Sequence, residues 1–337
     1  MLGPKYGSHQ FYIFLNKEDF EKEFPFQAAN VHLVYVKRVN NLLSNTFVLP
    51  KYHKKLNLDV TLFQNFGPLF PAVNSIVYIH DLLFLDYPGF FSLKEKIYLR
   101  LIVPLAKKAK SLVTISATEK ERIIAHGLAK RNNVHFVHHG VSKEFRPASD
   151  FADAELVKTQ KDYGLPNGYV LFLGRLNIRK NIKSLLIAMK DVDVPLVIAG
   201  ANSHKTEDLE EVIANNGLKH KVIFTGHIAD GDLPKVYALA TVFCFPSFAE
   251  GFGLPPLEAM ASGVPVVSSD RTSLKEVCGS AALFIDPDRP EAIAKALNTL
   301  LHSPAKRERL IAEGHHRAAQ FNWDKASREL MRIIEKV

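Results

Sequence analysis

The sequence predicts an α/β protein built from two doubly wound, Rossmann-like domains that face each other across a cleft. Short β-rich apolar runs alternate with helix-like stretches along the whole chain, which is typical of βαβ units and parallel sheets. The chain has 337 residues, 47% of them hydrophobic, which is enough for two domains. Such folds bind ligands at the carboxyl ends of their strands, so we expect the site to lie in the cleft.

The strand candidates form one series in each half of the chain. They are 11–15, 31–36, 60–63, 75–80, 111–115 and 134–138 in the first half, and 169–173, 195–199, 221–224, 242–245, 264–268 and 282–285 in the second. Turn signals at 146–150 and 166–168 mark the boundary, with a short helix expected between them. We therefore predict an N-terminal domain over 1–148, a C-terminal domain over 149–320 and a last helix over 321–337.

The first domain lacks an expected opening unit. A doubly wound domain normally begins with a strand and a Gly-rich turn into its first helix. Here a few loop-like residues lead directly into 11–15, which has the character of a second strand. We expect that the domain either is truncated at its start or does without this unit.

The net charge of +8 is distributed unevenly. Residues 1–150 hold 20 Lys and Arg against 12 Asp and Glu, whereas residues 151–337 hold 23 of each. This asymmetry favours an anionic partner of the first half, such as a membrane surface or a phosphate-bearing acceptor, about as well as it favours a solvated basic face. The basic, amphipathic stretch 93–110 is expected to pack on the core, with anionic lipid as the alternative. Nucleic acid is not expected, because no matching motif accompanies the basic pI.

The remaining composition is typical of a cytoplasmic enzyme. No apolar run is long enough for a transmembrane helix, and the N-terminus lacks the layout of a signal peptide. Cys244 and Cys278 lie in apolar stretches, so we expect two reduced core residues. No cluster of Cys and His has the spacing of a zinc site, and we predict no structural metal. Association with a membrane surface stays open.

The segment 246–261 is the strongest candidate for chemistry. It follows the apolar run 242–245 and opens a helix, with Pro256 near the first helical position, where its missing N–H costs nothing. Gly251 and Gly253 allow backbone amides to approach a ligand closely. A helix start with free amides is an anion site that suits a diphosphate.

Two carboxylates belong to this segment. Glu250 lies in the loop and Glu258 about a turn into the helix, so both can face one cleft and accept hydrogen bonds from sugar or ribose hydroxyls. The alternative is a solvent-facing Glu250 and a Glu258 that caps its own helix. We favour the ligand role for the segment as a whole, because burying many polar groups without partners is costly.

A second candidate follows the strand 169–173, at the turn where dinucleotide folds bind phosphate. After Gly174, Arg175 can bind phosphate oxygens with its forked guanidinium, and Lys180 can add a point charge from the helix start. Fixed cations in a dry cleft stabilise the charge on a departing nucleoside diphosphate. The alternative is a basic surface loop. Arg179 is expected to be solvated.

Further candidates lie at other strand ends. His80 ends the strand 75–80 and can hydrogen-bond a sugar hydroxyl, although a core-edge histidine bonded to backbone is the alternative. Asp81 is expected to orient the loop or His80. Ser116 is a candidate helix cap. His139 and Ser142 receive no role.

The Glu-x7-Glu segment EGFGLPPLEAMASGVPVV resembles the signature of glycosyltransferase family 4, a family of retaining nucleotide-sugar enzymes with the GT-B fold. The resemblance extends from about residue 11 to the end of the chain. It implies that Glu258 holds the nucleotide ribose and that Glu250 faces hydroxyls of the transferred sugar. It also implies that three backbone amides approach the sugar and phosphates, those of Phe252, Gly253 and Leu254.

The resemblance extends to the other candidates. It implies that Arg175 and Lys180 grip the donor diphosphate and that His80 lies close to the sugar. It also implies that the loop at Gly226 and Ile228 meets the base. The resemblance implies no metal and no cofactor: the nucleotide-sugar is the substrate, and UDP or GDP is the product.

The resemblance also implies the reaction. The chain is expected to move a hexose of the mannose or glucose type to a glycan or lipid-linked acceptor in polysaccharide assembly, by a same-face route with retained anomeric configuration. The helix over 321–337 is expected to cross back to the first domain. The alternative is a non-catalytic sugar-nucleotide-binding or regulatory subunit, which the missing opening unit would favour.

Overall fold

The computed structural model of the protein describes residues 6–16, 28–37, 39–70, 74–200 and 209–337. The strands in these ranges are β1 (Phe11–Asn16), β2 (Val31–Val36), β3 (Thr61–Gln64), β4 (Ser75–Ile79), β5 (Ser111–Thr114), β6 (Val134–Phe136), β7 (Val170–Leu173), β8 (Leu196–Ala199), β9 (Val222–Gly226), β10 (Val242–Phe245), β11 (Val266–Ser269) and β12 (Ala282–Ile285). Every strand pair is parallel. Each strand overlaps one of the predicted apolar runs, and the predicted α/β class is confirmed.

Helices connect the strands. They are α1 (Asn41–Leu43), α2 (Leu49–Lys55), α3 (Leu83–Asp86), α4 (Leu93–Arg100), α5 (Ile102–Ala106), α6 (Ala117–Ala125), α7 (Asp153–Asp162), α8 (Ile182–Ala188), α9 (Leu209–Asn215), α10 (Leu233–Ala238), α11 (Leu254–Ala261), α12 (Leu274–Cys278), α13 (Pro290–Leu301), α14 (Pro304–Ala319) and α15 (Trp323–Ile334), with a π-helical turn at Ser44–Val48 between the first two. The predicted single helix over 93–110 is instead divided into α4 and α5. No helix of the described residues is both long and apolar enough to cross a bilayer.

The second half of the chain forms one six-stranded sheet in the order β12-β11-β10-β7-β8-β9. Because β7 pairs with β8 on one side and β10 on the other, the strand order reverses between β7 and β10. Open α/β sheets bind ligands in the crevice at such a switch point. The turn after β7 carries Arg175 and Lys180, and the loop after β10 carries Glu250, so the topology brings both candidate motifs to one crevice.

The first half of the chain does not form a single doubly wound sheet in the described ranges. Its strands make a two-stranded sheet, β1-β2, and a separate four-stranded sheet, β3-β4-β5-β6. In the usual doubly wound order the first strand lies at the centre and joins the two sides of the sheet. Here the two sheets share no strand pair, so no central strand joins them within the described ranges.

The last helix, α15, packs on the sheet of the first half. Its Ala326 belongs to one buried cluster with Ile76 of β4 and Val113 of β5. Where the chain meets this helix, a Cβ atom at Gly140 would lie 2.6 Å from the backbone of Asn322, so the close approach requires glycine. The end of the chain is thereby anchored to the half that contains β4 and its His80.

The second half contains the larger core. Its sheet strands β8, β10 and β11 are buried along their whole length, as expected for parallel strands covered on both faces. Cys244 and Cys278 lie fully buried in this core and are not bonded to each other, as predicted. A rigid sheet therefore supports the loops at its carboxyl edge.

Candidate functional site

The loop 246–253 leaves the buried strand β10 and ends at the start of α11. Gly253 has φ 123°, a conformation that favours glycine, and a Cβ atom there would lie 2.7 Å from Leu274. Pro255 and Pro256 lack an N–H. The N–H groups available at this helix start are therefore those of the residues that precede Pro255. No hydrogen bond among the described residues occupies the amides of Phe252, Gly253 and Leu254. They remain available to an anion.

Glu250 is the centre of a buried charge cluster. Its Oε1 atom lies 2.7 Å from Nζ of Lys180, and its Oε2 atom lies 2.8 Å from the Arg179 guanidinium. Burial opposes ionisation, but the two cations hold the pKa of Glu250 at about 2. Glu250 is therefore not the solvent-facing residue of the alternative considered from the sequence.

Arg179 contradicts the sequence prediction of a solvated side chain. Its guanidinium is only 21% exposed and binds both the Glu250 carboxylate and the carbonyl oxygen of Ala249. The reason is the 3-10 turn Ile178–Lys180, which Asn177 caps by accepting from the Lys180 amide at 3.2 Å. This turn directs both consecutive cations at the Glu250 loop.

Lys180 is buried beside an aromatic ring. Its ammonium lies 4.5 Å from the centroid of the Phe245 ring, and its side chain is almost completely buried. The neighbouring Asn181, in the left-handed region at φ 57°, donates to the carbonyl oxygens of Pro246 and Pro287. This asparagine ties the turn after β7 to the chain after β10 and so fixes the two motifs against each other.

Glu258 does not cap its own helix. Its Oε2 atom accepts a hydrogen bond from the hydroxyl of Tyr237 on α10 at 2.8 Å. Burial raises the pKa of Glu258, and the tyrosine hydroxyl partly opposes this effect. The carboxylate is thus oriented by one donor and keeps further acceptor capacity for hydroxyls of a ligand.

The remaining donor-side candidates line the same sheet edge. Arg175 is exposed and forms no ion pair within the described ranges, so its guanidinium is free for an anion. Gly174 precedes it with φ 154°. Gly226 accepts from the amide of Gly200 at 2.9 Å, while the side chain of Ile228 is buried in the core. A ligand at this loop would therefore meet backbone rather than the Ile228 side chain.

The strand end at His80 faces the Glu250 loop from the other half of the chain. A Cβ atom at Gly251 would lie 2.8 Å from Cβ of Asp81 and 3.2 Å from the carbonyl oxygen of His80. Burial lowers the pKa of His80, so the ring is neutral at physiological pH. Its ring nitrogens make no hydrogen bond among the described residues, unlike those of a satisfied core histidine.

Two neighbours fix this strand end. Asp81 accepts from the Leu83 amide at 3.2 Å and so orients its own loop, as expected. Burial raises the pKa of Asp81. Ser116 caps α6 by accepting from the Glu119 amide, as predicted, and also donates to the Gly251 carbonyl oxygen at 2.8 Å. That second bond crosses between the two halves.

His139, to which the sequence analysis assigned no role, packs beside His80. Its ring centroid lies 6.4 Å from that of His80, 5.3 Å from that of Phe252 and 5.7 Å from that of Trp323. Burial lowers the pKa of His139 to about 4, so its ring is neutral and packs as an aromatic group. Its position directly after the predicted strand 134–138 was the one signal that could have indicated this role.

The chain is similar to known proteins. Residues 158–317 match the family model for glycosyl transferases group 1. Over this segment the chain is similar to the group 1 glycosyltransferases. O-antigen chain mannosyltransferase B of Escherichia coli is 34% identical over 223 residues, which cover 64% of this chain and 58% of that protein. The matched segment includes both candidate motifs of the second sheet.

Solved structures match the chain beyond that segment. Sucrose-phosphate synthase from Thermosynechococcus elongatus superposes with a TM-score of 0.75 at 21% identity, covering 96% of this chain and 88% of that one. Anabaena HepE, solved with UDP and glucose, gives 0.73 at 19% identity, covering 91% and 86%. At these identities the likeness concerns the fold, and it confirms the predicted GT-B architecture.

Proposed function

We propose that the protein is a hexosyltransferase that moves a mannose- or glucose-type sugar from a nucleotide-sugar donor to a glycan or lipid-linked acceptor. The observation that carries the proposal is the charge cluster of Glu250, Arg179 and Lys180 at the switch point of the second sheet, next to Gly251, which packs against the backbone of His80. The relative named as a mannosyltransferase supports a catalytic function over a regulatory subunit.

The donor is assigned to the crevice between β7 and β10. The free amides of Phe252, Gly253 and Leu254 and the exposed guanidinium of Arg175 face the diphosphate in this proposal. Glu258, oriented by Tyr237, accepts from the ribose hydroxyls. The UDP bound in the HepE complex supports a nucleoside diphosphate as the product.

Because Glu250 is paired with two cations, one of them can move to the donor while the other stays. When a diphosphate enters, Lys180 can turn from Glu250 to the phosphate oxygens, while Arg179 stays bound to the carboxylate and keeps it ionised. Glu250 then has one oxygen free to accept from a sugar hydroxyl. As the glycosidic bond breaks, negative charge develops on the leaving diphosphate, and the Lys180 ammonium stabilises it more strongly than it stabilises the intact donor.

A same-face route with retained configuration fits these pKa values. Two cations hold the pKa of Glu250 at about 2 before the donor binds, and Arg179 still pairs with the carboxylate once Lys180 has turned to the phosphate. The carboxylate therefore stays ionised and paired, which makes it a poor base and a weak nucleophile. A double displacement would need a carboxylate free to attack the anomeric carbon. In the proposed route the leaving diphosphate takes the acceptor proton instead, and neutral His80 binds a sugar hydroxyl.

A membrane surface is the proposed location of a lipid-linked acceptor. Along α4 and its end, Leu93, Ile97 and Leu101 recur every four residues on one helix face and are 71%, 62% and 41% exposed. The exposed Lys94 and Arg100 flank this stripe and complement anionic headgroups. The excess positive charge of the first half would also favour binding to an anionic membrane surface.

The test is sugar transfer by the full chain. Labelled GDP-mannose, UDP-glucose and their relatives are each incubated with the protein and membrane extract, and labelled glycan or lipid product is measured. Transfer from one donor with retained anomeric configuration supports the proposal. Tight donor binding with neither transfer nor hydrolysis would favour the regulatory subunit instead.

A further inference from the structure

One carboxylate of the second half is bound entirely by donors of the first half. Glu276, on α12, accepts from the amides of Ala117 and Thr118 at 2.7 and 2.8 Å. It also accepts from the Thr118 hydroxyl at 2.7 Å and from Nε2 of His138 at 2.8 Å. Because a carboxylate accepts only, that ring nitrogen carries the proton. These bonds, which outweigh the cost of burial, hold the pKa of Glu276 at about 2.

The position of Glu276 explains the strength of this contact. The first amides of a helix have no partner within the helix and carry partial positive charge. Ser116 accepts from the Glu119 amide of α6, which leaves the amides of Ala117 and Thr118 to be satisfied. Glu276 satisfies both from across the domain boundary, with charge-assisted bonds.

The helix that carries Glu276 also anchors the donor loop. Just before α12, the Thr272 hydroxyl accepts from the Glu250 amide at 2.9 Å. The Ser273 hydroxyl donates to the carbonyl oxygens of Glu250 and Phe252 at 2.8 and 2.7 Å. Glu276 and the loop 250–253 are therefore parts of one rigid unit.

The start of α6, which Glu276 binds, also contacts the donor loop directly. Ser116, at the start of α6, donates to the Gly251 carbonyl oxygen, and Gly251 lies against His80 and Asp81. A displacement at Glu276 would therefore shift the donor loop relative to His80. Enzymes lose rate steeply when reacting groups are misplaced by about 1 Å.

We propose that Glu276 is a positioning residue that clamps the two halves in the arrangement in which Glu250 and His80 face one donor. The clamp acts through α6 and α12 and touches neither substrate nor reacting atoms. This role in transfer rests on the proposed function, but the clamp itself is a property of the domain contact.

The test compares Glu276→Gln with Glu291→Gln, an exposed carboxylate on α13, in the full chain. The glutamine side chain has the same size as glutamate, but it is neutral and its amide NH2 group is a donor. It therefore cannot accept from all the donors that surround Glu276. Losing these charge-assisted bonds should lower the ratio of closed to open molecules by about tenfold to a hundredfold. Small-angle X-ray scattering should then show a larger radius of gyration for Glu276→Gln and no change for Glu291→Gln.

Kinetics separate positioning from folding. We expect kcat to fall about tenfold or more in Glu276→Gln, while UDP or GDP affinity stays within twofold, because the nucleotide site belongs to the second half alone. Thr118→Val, which removes one donor, should show a smaller loss in the same direction. Unchanged scattering or unchanged kcat in a folded Glu276→Gln protein would overturn the clamp. If the wild type transfers no sugar, the proposed function fails, and scattering still decides on the clamp.

Discussion

The ammonium of Lys180 lies 2.7 Å from the carboxylate of Glu250, although seventy positions separate the two in the chain. Both side chains are buried, and Arg179 binds the other oxygen of the same carboxylate. A buried charge is strongly destabilising once its partner is removed. The pair therefore links the stability of the donor crevice to its ability to bind a diphosphate.

The Glu250 pair predicts a pH dependence of stability. The pKa of Glu250 is about 2 in the folded protein against an ordinary 4.5, so its contribution is complete above pH 4.5 and is lost as the pH falls toward 2. The shift corresponds to about 3 kcal/mol. The difference in unfolding free energy between wild type and Glu250→Gln should therefore shrink as the pH falls over this range.

Urea unfolding at several pH values measures this difference. Glu308→Gln, which changes an exposed carboxylate of α14, is the matched control and should follow the wild type. A Glu250→Gln protein that stays parallel to the wild type from pH 6 down to acid unfolding would contradict the ionised pair.

Glu258→Ala should weaken nucleotide binding. Ribose hydroxyls would lose a charged acceptor worth about 1.5–3 kcal/mol, or roughly tenfold to a hundredfold in affinity. Tyr237→Phe removes only the hydroxyl that orients Glu258 and should cost less. Calorimetry with UDP and GDP is the measurement, and equal affinity of Glu258→Ala and wild type for the nucleotide that binds would refute the ribose assignment.

The sequence was sufficient for the strands and the two motifs, because both depend on local pattern. An apolar run bounded by turn residues predicts a buried strand, and the spacing of Glu250 and Glu258 is visible in one segment. The partners of these groups were not predictable. Arg179 looked like a surface cation because its burial depends on a loop seventy residues away.

The contact at Glu276 was hidden for the same reason, since its donors precede it by more than 130 positions. Tyr237 likewise meets Glu258 only once α10 and α11 have packed. The split of the first-half sheet was a further difference: the sequence indicated each strand but not which strands pair.

Gly251→Ala should impair transfer with little effect on the fold of either half. The new methyl group would lie 2.8 Å from Cβ of Asp81, an atom next to the backbone that cannot turn away. The two halves must then separate slightly, and the proposed same-face reaction loses its geometry. Gly231→Ala is the matched control, because a Cβ atom there meets nothing within 4 Å.

Turnover and donor affinity, measured side by side, test this prediction. We expect at least a tenfold fall in turnover for Gly251→Ala and none for Gly231→Ala. Full activity of Gly251→Ala would mean that the approach of Gly251 to Asp81 is not needed for transfer.

The exposed stripe on α4 predicts salt-sensitive binding to anionic vesicles. Replacing Leu93 and Ile97 by Ser removes the apolar anchors, so co-sedimentation with phosphatidylglycerol vesicles should fall by about tenfold or more. Val157→Ser on α7 is the control, since Val157 is 63% exposed but lies in the half without excess charge. Binding should weaken as salt screens the lysines.

Other occupants of the stripe give different results. Equal sedimentation of the Leu93/Ile97 variant and the wild type, or no wild-type binding at low salt, would remove the lipid proposal. A concentration-dependent increase in mass without vesicles, abolished by the same variant, would indicate a second copy of the chain on this face.

Arg175 separates a catalytic role from simple binding. Its guanidinium is exposed and free of ion pairs within the described residues, in contrast to Arg179, which Glu250 already holds. If it stabilises the leaving diphosphate, its contribution grows in the transition state. Arg175→Ala should then cost on the order of 3 kcal/mol in turnover, similar to the loss of an oxyanion-hole donor, while donor affinity falls less.

The conservative variant sharpens the test of Arg175. Arg175→Lys should recover little, because a point charge cannot reproduce the two parallel bonds of the fork. Single-turnover sugar transfer and direct donor binding, measured on the same preparations, provide both quantities. If Arg175→Ala loses only affinity and keeps full turnover at saturating donor, Arg175 binds the donor without stabilising the transition state. In that case the charge on the departing diphosphate must be stabilised by Lys180 and the loop amides of Phe252, Gly253 and Leu254, and Lys180→Met should then show the turnover loss that Arg175→Ala lacks.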